Sequence, residues 1–129
     1  MVSDKMENKI QAAYNASKNY PELVKALIQI GVESYTVEVS SSTILYRFEG
    51  GENSLHTPEG PLREIAEKFS KEGTLQAVRD NQQGKTTYPG FMDAIALAGV
   101  RFYEATLNGD KKRVTYIGKE DYYEELIPV

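Results

Sequence analysis

The chain has no cysteine, no tryptophan and one histidine in its 129 residues. Without cysteine there are no disulfides, thiolate metal ligands, iron–sulfur clusters or cysteine nucleophiles, which suits a reducing cytosol. The single histidine, His56, cannot build the common multi-histidine metal site, and no His/Asp/Glu spacing around it imitates one. Neither a metal nor another cofactor is expected. Long hydrophobic runs are also missing, since no stretch approaches the roughly 18 consecutive apolar residues of a membrane span. The opening residues, MVSDKMENK, are polar and mixed in charge, unlike a secretion signal. The expectation is a cytoplasmic protein with no membrane span. Positive charge is in deficit, with 15 Lys and Arg against 19 Asp and Glu. The only basic run, Lys111-Lys112-Arg113, falls at an expected hairpin turn and reads as solvated. A nucleic acid read through its phosphates wants a basic face, so no nucleic-acid partner is expected.

What is present suffices for a core. Apolar residues make up 40% and charged residues 26%, a globular rather than a disordered balance. A chain of this length suits one domain, 1–129, able to bury roughly two-thirds of the surface its unfolded form exposes.

The sequence also repeats itself. Residues 20–35, YPELVKALIQIGVESY, align with residues 88–103, YPGFMDAIALAGVRFY, at an offset of 68. Tyr20, Pro21, Ala26, Gly31, Val32 and Tyr35 recur as Tyr88, Pro89, Ala94, Gly99, Val100 and Tyr103. Two residues later in register, Ile44, Tyr46 and Pro58 match Val114, Tyr116 and Pro128. Each match has a physical job. Pro21 and Pro89 suit a helical first turn, where the missing N–H costs no bond. Gly31 and Gly99 read as left-handed C′ residues that end each helix, with Val32 and Val100 following at C″ near Leu27 and Ile95. Tyr35, Val37 and Val39 then alternate with Thr36, Glu38 and Ser40 as in a half-buried strand. Ile44, Tyr46 and Phe48 continue the alternation, and Gly50-Gly51 turns into a short strand over 54–57. In the second half, 103–107 and 113–117 flank the Asn108-Gly109-Asp110 hairpin turn, and 121–127 is the last strand.

Three further helices are predicted. Met6, Ile10, Ala13 and Tyr14 are helically spaced within 4–18. Thr57-Pro58 looks like a helix start, with an apolar stripe of Leu62, Ile65, Ala66 and Phe69 broken at Gly73, and 74–81 follows as a separate helix. The resulting fold class is α+β: two pseudo-two-fold-related repeats, about 4–58 and about 61–129, each of helices plus a β-meander, with helices packed on antiparallel sheet.

The segment 81–92, NQQGKTTYPGFM, with the Ala98-Gly99-Val100 stop and the ending Glu124-Glu125-Leu126-Ile127-Pro128, resembles the YdfO/YbcV-like family of small bacterial and phage-borne proteins, often labelled phage envelope protein-like. The resemblance covers nearly the whole chain and implies an α+β domain of uncharacterised, phage- or prophage-associated role. Many members of that family carry His, Asp and Cys where this chain has Asn81, Thr87 and Met92. An acid/base or thiol mechanism is therefore not carried over to these positions.

Candidate chemistry is sparse, and no catalytic residue is assigned. His56 could act as a lone base with Glu49 or Glu59 near in sequence, or simply end a strand half-exposed. Ser40-Ser41-Ser42 would need a base beside it to be nucleophilic, and serines suit turns. Glu124 and Glu125 point to opposite faces of a strand, so together with Asp121 they read as edge-strand charge rather than a carboxylate pair. Gln82-Gln83-Gly84-Lys85 lacks the spacing of a phosphate loop. The nine tyrosines are the most unusual feature. Tyr35, Tyr46, Tyr103 and Tyr116 occupy equivalent places in the two halves and are expected on the helix-facing side of the sheet. They either fill the core or, with His56, line a ligand-binding cleft between the repeats. The leading expectation is a non-catalytic binding or interaction module whose partner is an unidentified protein or small molecule. A homodimer through a sheet edge or apolar helix face is compatible with it. The alternative is a small-molecule-binding domain or minimal enzyme using the tyrosine-lined seam.

Overall fold

A computed structural model describes residues 4–18 and 20–127, with side chains from residue 7 onward. Helix α1 (Asp4–Ala16) turns Ile10 and Ala13 inward, while Met6 lies outside the described side chains. Helix α2 (Tyr20–Gln29) carries Pro21 in its first turn and buries Val24 and Leu27. Gly31 ends it at φ 95°, its N–H bonded to the Ile28 carbonyl at 3.0 Å. Helix α4 (Tyr88–Leu97) starts on the Thr87 cap and ends in the same way. Gly99 sits at φ 84°, its N–H reaches the Ala96 carbonyl at 3.1 Å, and the Val100 N–H reaches Ile95 at 2.9 Å. These two bonds are the Schellman pair expected of a Gly-Val stop.

Strands β1 (Val32–Glu38), β2 (Thr43–Phe48), β3 (Asn53–His56), β4 (Phe102–Thr106), β5 (Arg113–Ile117) and β6 (Tyr122–Leu126) form one antiparallel sheet in the order β3-β2-β1-β4-β5-β6. The order reads alike from either edge. At its centre Thr36 lies opposite Glu104, two residues 68 apart, the spacing of the sequence match. Alternation decides which face is covered: Tyr35, Val37, Ile44, Tyr46, Tyr103 and Tyr116 are buried among helix residues, and their neighbours point outward.

One expectation fails. Residues 57–70 are not helical, and the next helix is α3 (Lys71–Gln82), which contains Gly73 rather than breaking at it. Pro58, Gly60 at φ 141° and Pro61 interrupt a helical start. The stripe belongs instead to an extended strap whose backbone bonds leave the segment. Arg63 N–H donates to Ser40 O at 2.8 Å, Ala66 to Ala96 O at 3.0 Å, and Ser70 to Ala98 O at 2.7 Å. Arg63 also docks on the serine turn, with Nη1 2.6 Å from Ser42 Oγ and Nε 2.8 Å from Asp93 Oδ1. Gly73 has a packing reason: a Cβ there would stand 3.2 Å from Ala98 Cβ, so glycine lets α3 approach the end of α4.

Ser70 caps α3, its hydroxyl accepting from Gly73 N–H at 2.9 Å. Ser70→Ala is expected to lower stability by about 1 kcal/mol in urea denaturation. A loss below a few tenths would show that the strap, not the cap, starts the helix.

A tyrosine-walled cavity under the helices

The aromatic side chains come from two directions. From the sheet, Tyr35 packs on Tyr46 with ring centroids 5.6 Å apart, and Tyr103 on Tyr116 at 5.3 Å. Tyr123 of β6 extends the row by stacking on Tyr116 at 6.2 Å. From the helices, Tyr20 and Tyr88 stand at the first positions of α2 and α4, and Tyr14 lies near the end of α1. Each helix tyrosine meets a sheet tyrosine hydroxyl to hydroxyl: Tyr20 with Tyr35 at 2.7 Å, Tyr88 with Tyr103 at 3.3 Å, and Tyr14 with Tyr46 at 2.9 Å.

Between these pairs lies a cavity of about 640 Å³. Tyr20, Tyr35 and Lys18 bound it on one side, and Tyr88, Tyr103 and Tyr116 on the other. Asn81 and Gln82 at the end of α3 supply amide groups, and Val37, Val78 and Val114 supply apolar floor. Both halves of the chain contribute walls. Of the expected set, Tyr35, Tyr103 and Tyr116 line this cavity. Tyr46 and His56 do not, and line a neighbouring cavity of about 510 Å³ instead. His56 ends β3, an edge strand, two positions outward from the centre of the sheet. That placement keeps the imidazole exposed and away from the seam.

Burial sets the chemistry of the hydroxyls. Desolvation pushes the Tyr20 phenol up to about 12, and holds Tyr35, Tyr46, Tyr103 and Tyr116 well above the ordinary tyrosine range. Burial raises Tyr14 and Tyr88 as well. All are neutral near pH 7, so they serve as hydrogen-bond donors and acceptors rather than as bases or nucleophiles. The carboxylate at the rim is also occupied. Glu125 holds Arg79 at 2.6 Å, accepts from Tyr123 at 3.0 Å, and accepts from Gln82 at 3.2 Å. Glu124 faces outward and pairs with Arg113 at 3.5 Å, so the two adjacent glutamates do point to opposite faces. Among the described residues no group of three or more His, Asp or Glu could hold a metal ion. No helix among them is long and apolar enough to cross a membrane.

Sequence reasoning placed the sheet tyrosines but missed Tyr14, Tyr20 and Tyr88 as walls. The signal was available: Tyr20 and Tyr88 open the two matched segments, where they look like helix punctuation beside proline. An α+β domain with a tyrosine-walled cavity between helices and sheet is the class that these features define. Within it, the chain belongs to the family described as "Protein of unknown function (DUF1398)", whose model matches residues 8–124. No curated protein matches the chain.

Proposed function

We propose that the protein is a non-catalytic binding domain that takes a flat, largely apolar small molecule in the tyrosine-walled cavity. The observation that carries this reading is the cavity itself. Its volume of about 640 Å³ is that of a small-molecule site, it lies where two halves of a fold meet, and paired hydroxyls rim its apolar floor. Aromatic walls stack on a planar ligand, and the hydroxyls and α3 amides fix its polar edge. We read the two halves as repeats of one helix-plus-meander unit within a single domain, so that the seam between them is the binding place. The neutral tyrosines and the engaged Glu125 argue against proton-transfer chemistry.

A thermal-shift screen against a metabolite library tests the reading. A ligand at a hundredfold excess over its Kd adds about 2.7 kcal/mol of stability, a rise of about 10 °C in Tm for a domain of this size. Val114→Phe, which adds bulk at the cavity floor, is expected to weaken that ligand at least about tenfold. A library without a hit, or a hit indifferent to Val114→Phe, would sink the proposal.

A second reading, an interaction module that dimerises, draws on the outward sheet face. Leu55 of β3 is 46% exposed and Tyr122 of β6 is 58% exposed, both on edge strands. The phage-associated role implied by the YdfO/YbcV resemblance belongs with it. A monomer throughout a sedimentation series up to millimolar concentration would count against it.

A further inference from the structure

We propose that the second cavity is a sub-site of the first, and that the ligand carries a polyhydroxylated, sugar-like group on its flat aromatic body. This rests on the binding reading above. The two cavities share Tyr14, Ile44 and Tyr88 as walls. The Tyr14–Tyr46 hydroxyl pair stands at their common boundary. A ligand reaching from one cavity to the other therefore passes tyrosine hydroxyls, not a packed apolar wall.

The second cavity differs from the first in chemistry. Glu7, Asn8 and Gln11 face it from α1, and Ser54 and His56 from β3. Ser54 is the decisive residue. It is only 2% exposed, and its hydroxyl has no hydrogen-bond partner among the described residues, although it lines the cavity. Because the hydroxyl opens onto the cavity rather than being sealed in the core, it is free to donate to or accept from a group seated there. On strand β3, Ser54 and His56 lie two residues apart and share a face.

The lining also selects the class of group. A carboxylate accepts, amides both donate and accept, a hydroxyl does both, and the imidazole adds its ring nitrogens. Groups that donate and accept from one atom match such a mixture, and those are hydroxyls. Among the described residues no Lys or Arg lines this cavity, and Glu7 would repel an anionic group such as phosphate. An aliphatic tail would leave the polar lining unpaired.

Three coumarin probes separate the outcomes: 4-methylumbelliferone as the body alone, its β-glucoside, and its phosphate. The protein has nine tyrosines and no tryptophan, so quenching of tyrosine emission reports binding directly, with calorimetry as a second readout. The expected result is a glucoside Kd at least about tenfold below that of umbelliferone, with the phosphate weaker than the glucoside. The ratio of glucoside to umbelliferone affinity should fall below about threefold in His56→Ala and in Ser54→Val. His56 is exposed, so His56→Ala and Glu7→Gln keep the test available should Ser54→Val fail to fold. A glucoside no tighter than umbelliferone, a gain that survives the substitutions, or an equal gain for the phosphate would overturn the sub-site while leaving the first cavity standing. If none of the three probes binds, the parent reading falls and this one with it.

Discussion

Gly99→Ala is expected to lower stability by about 2–5 kcal/mol, whereas Gly31→Ala, at the matched position, loses only about 1–2 kcal/mol. Both glycines have left-handed backbones, at φ 84° and 95°, so an added side chain is strained at either site. Their surroundings differ. A Cβ on Gly31 meets nothing within 4 Å. A Cβ on Gly99 would sit 2.4 Å from the Lys68 carbonyl oxygen and 2.8 Å from Phe69 Cα, which are backbone atoms that cannot swing away. Relief would require the 57–70 strap to lift, and the strap is tied at Ala96 and Ala98 beside the glycine. Urea denaturation followed by circular dichroism measures both losses. Equal losses would show that the strap yields freely and that only the backbone angle matters.

The second large effect is alkaline unfolding. Tyr20, Tyr35, Tyr46, Tyr103 and Tyr116 all have folded-state phenols raised by desolvation above the ordinary value near 10. The stability tied to keeping them protonated is fully present below that value. It is lost as pH rises further, because the unfolded chain releases protons that the folded chain retains. Each such group contributes a slope of up to about 1.4 kcal/mol per pH unit, so five together reach about 7 kcal/mol per unit above pH 10. A domain with an ordinary 5–15 kcal/mol of stability would then unfold cooperatively between about pH 11 and 12. Tyrosinate absorbance near 295 nm should rise in a steep step that coincides with loss of the far-ultraviolet circular dichroism. A shallow titration centred near pH 10 with the dichroism intact would mean that the phenols open to solvent without unfolding.

The legible part of the fold was the part written in local grammar. Pro21 and Pro89, Gly31 and Gly99, and the alternation about Tyr35 and Tyr103 each act on their own few residues, and helices, stops and strands appear where these residues place them. The strap was illegible for the opposite reason. Leu62, Ile65, Ala66 and Phe69 have helical spacing, but their segment satisfies its backbone groups on Ser40, Ala96 and Ala98, partners up to some thirty residues away that no local pattern names. Phe69 packs so closely on Gly118 that a Cβ there would be 2.5 Å from its ring, a contact between residues with no shared motif. The cavity was half legible. Strand periodicity put Tyr35, Tyr103 and Tyr116 on the covered face, but which helix residues stood over them depended on helix packing. His56 was drawn to the seam because it is chemically distinctive, and the edge position of β3 overrules that.

The central rung of the sheet carries one more implication. Thr36 and Glu104 face each other there, 3.2 Å apart through their side chains, and Arg47 stands 3.6 Å from the same carboxylate. Were β4 to pair with another β4 in this register, Glu104 would oppose Glu104, and like charges directly opposite destabilise a sheet. Pairing β1 with another β1 would set Thr36 against Thr36 and forgo the acid's bond. The Glu104 centre is complementary to Thr36 and not to itself. That rung therefore favours the join between β1 and β4 over a join of β4 with a second β4.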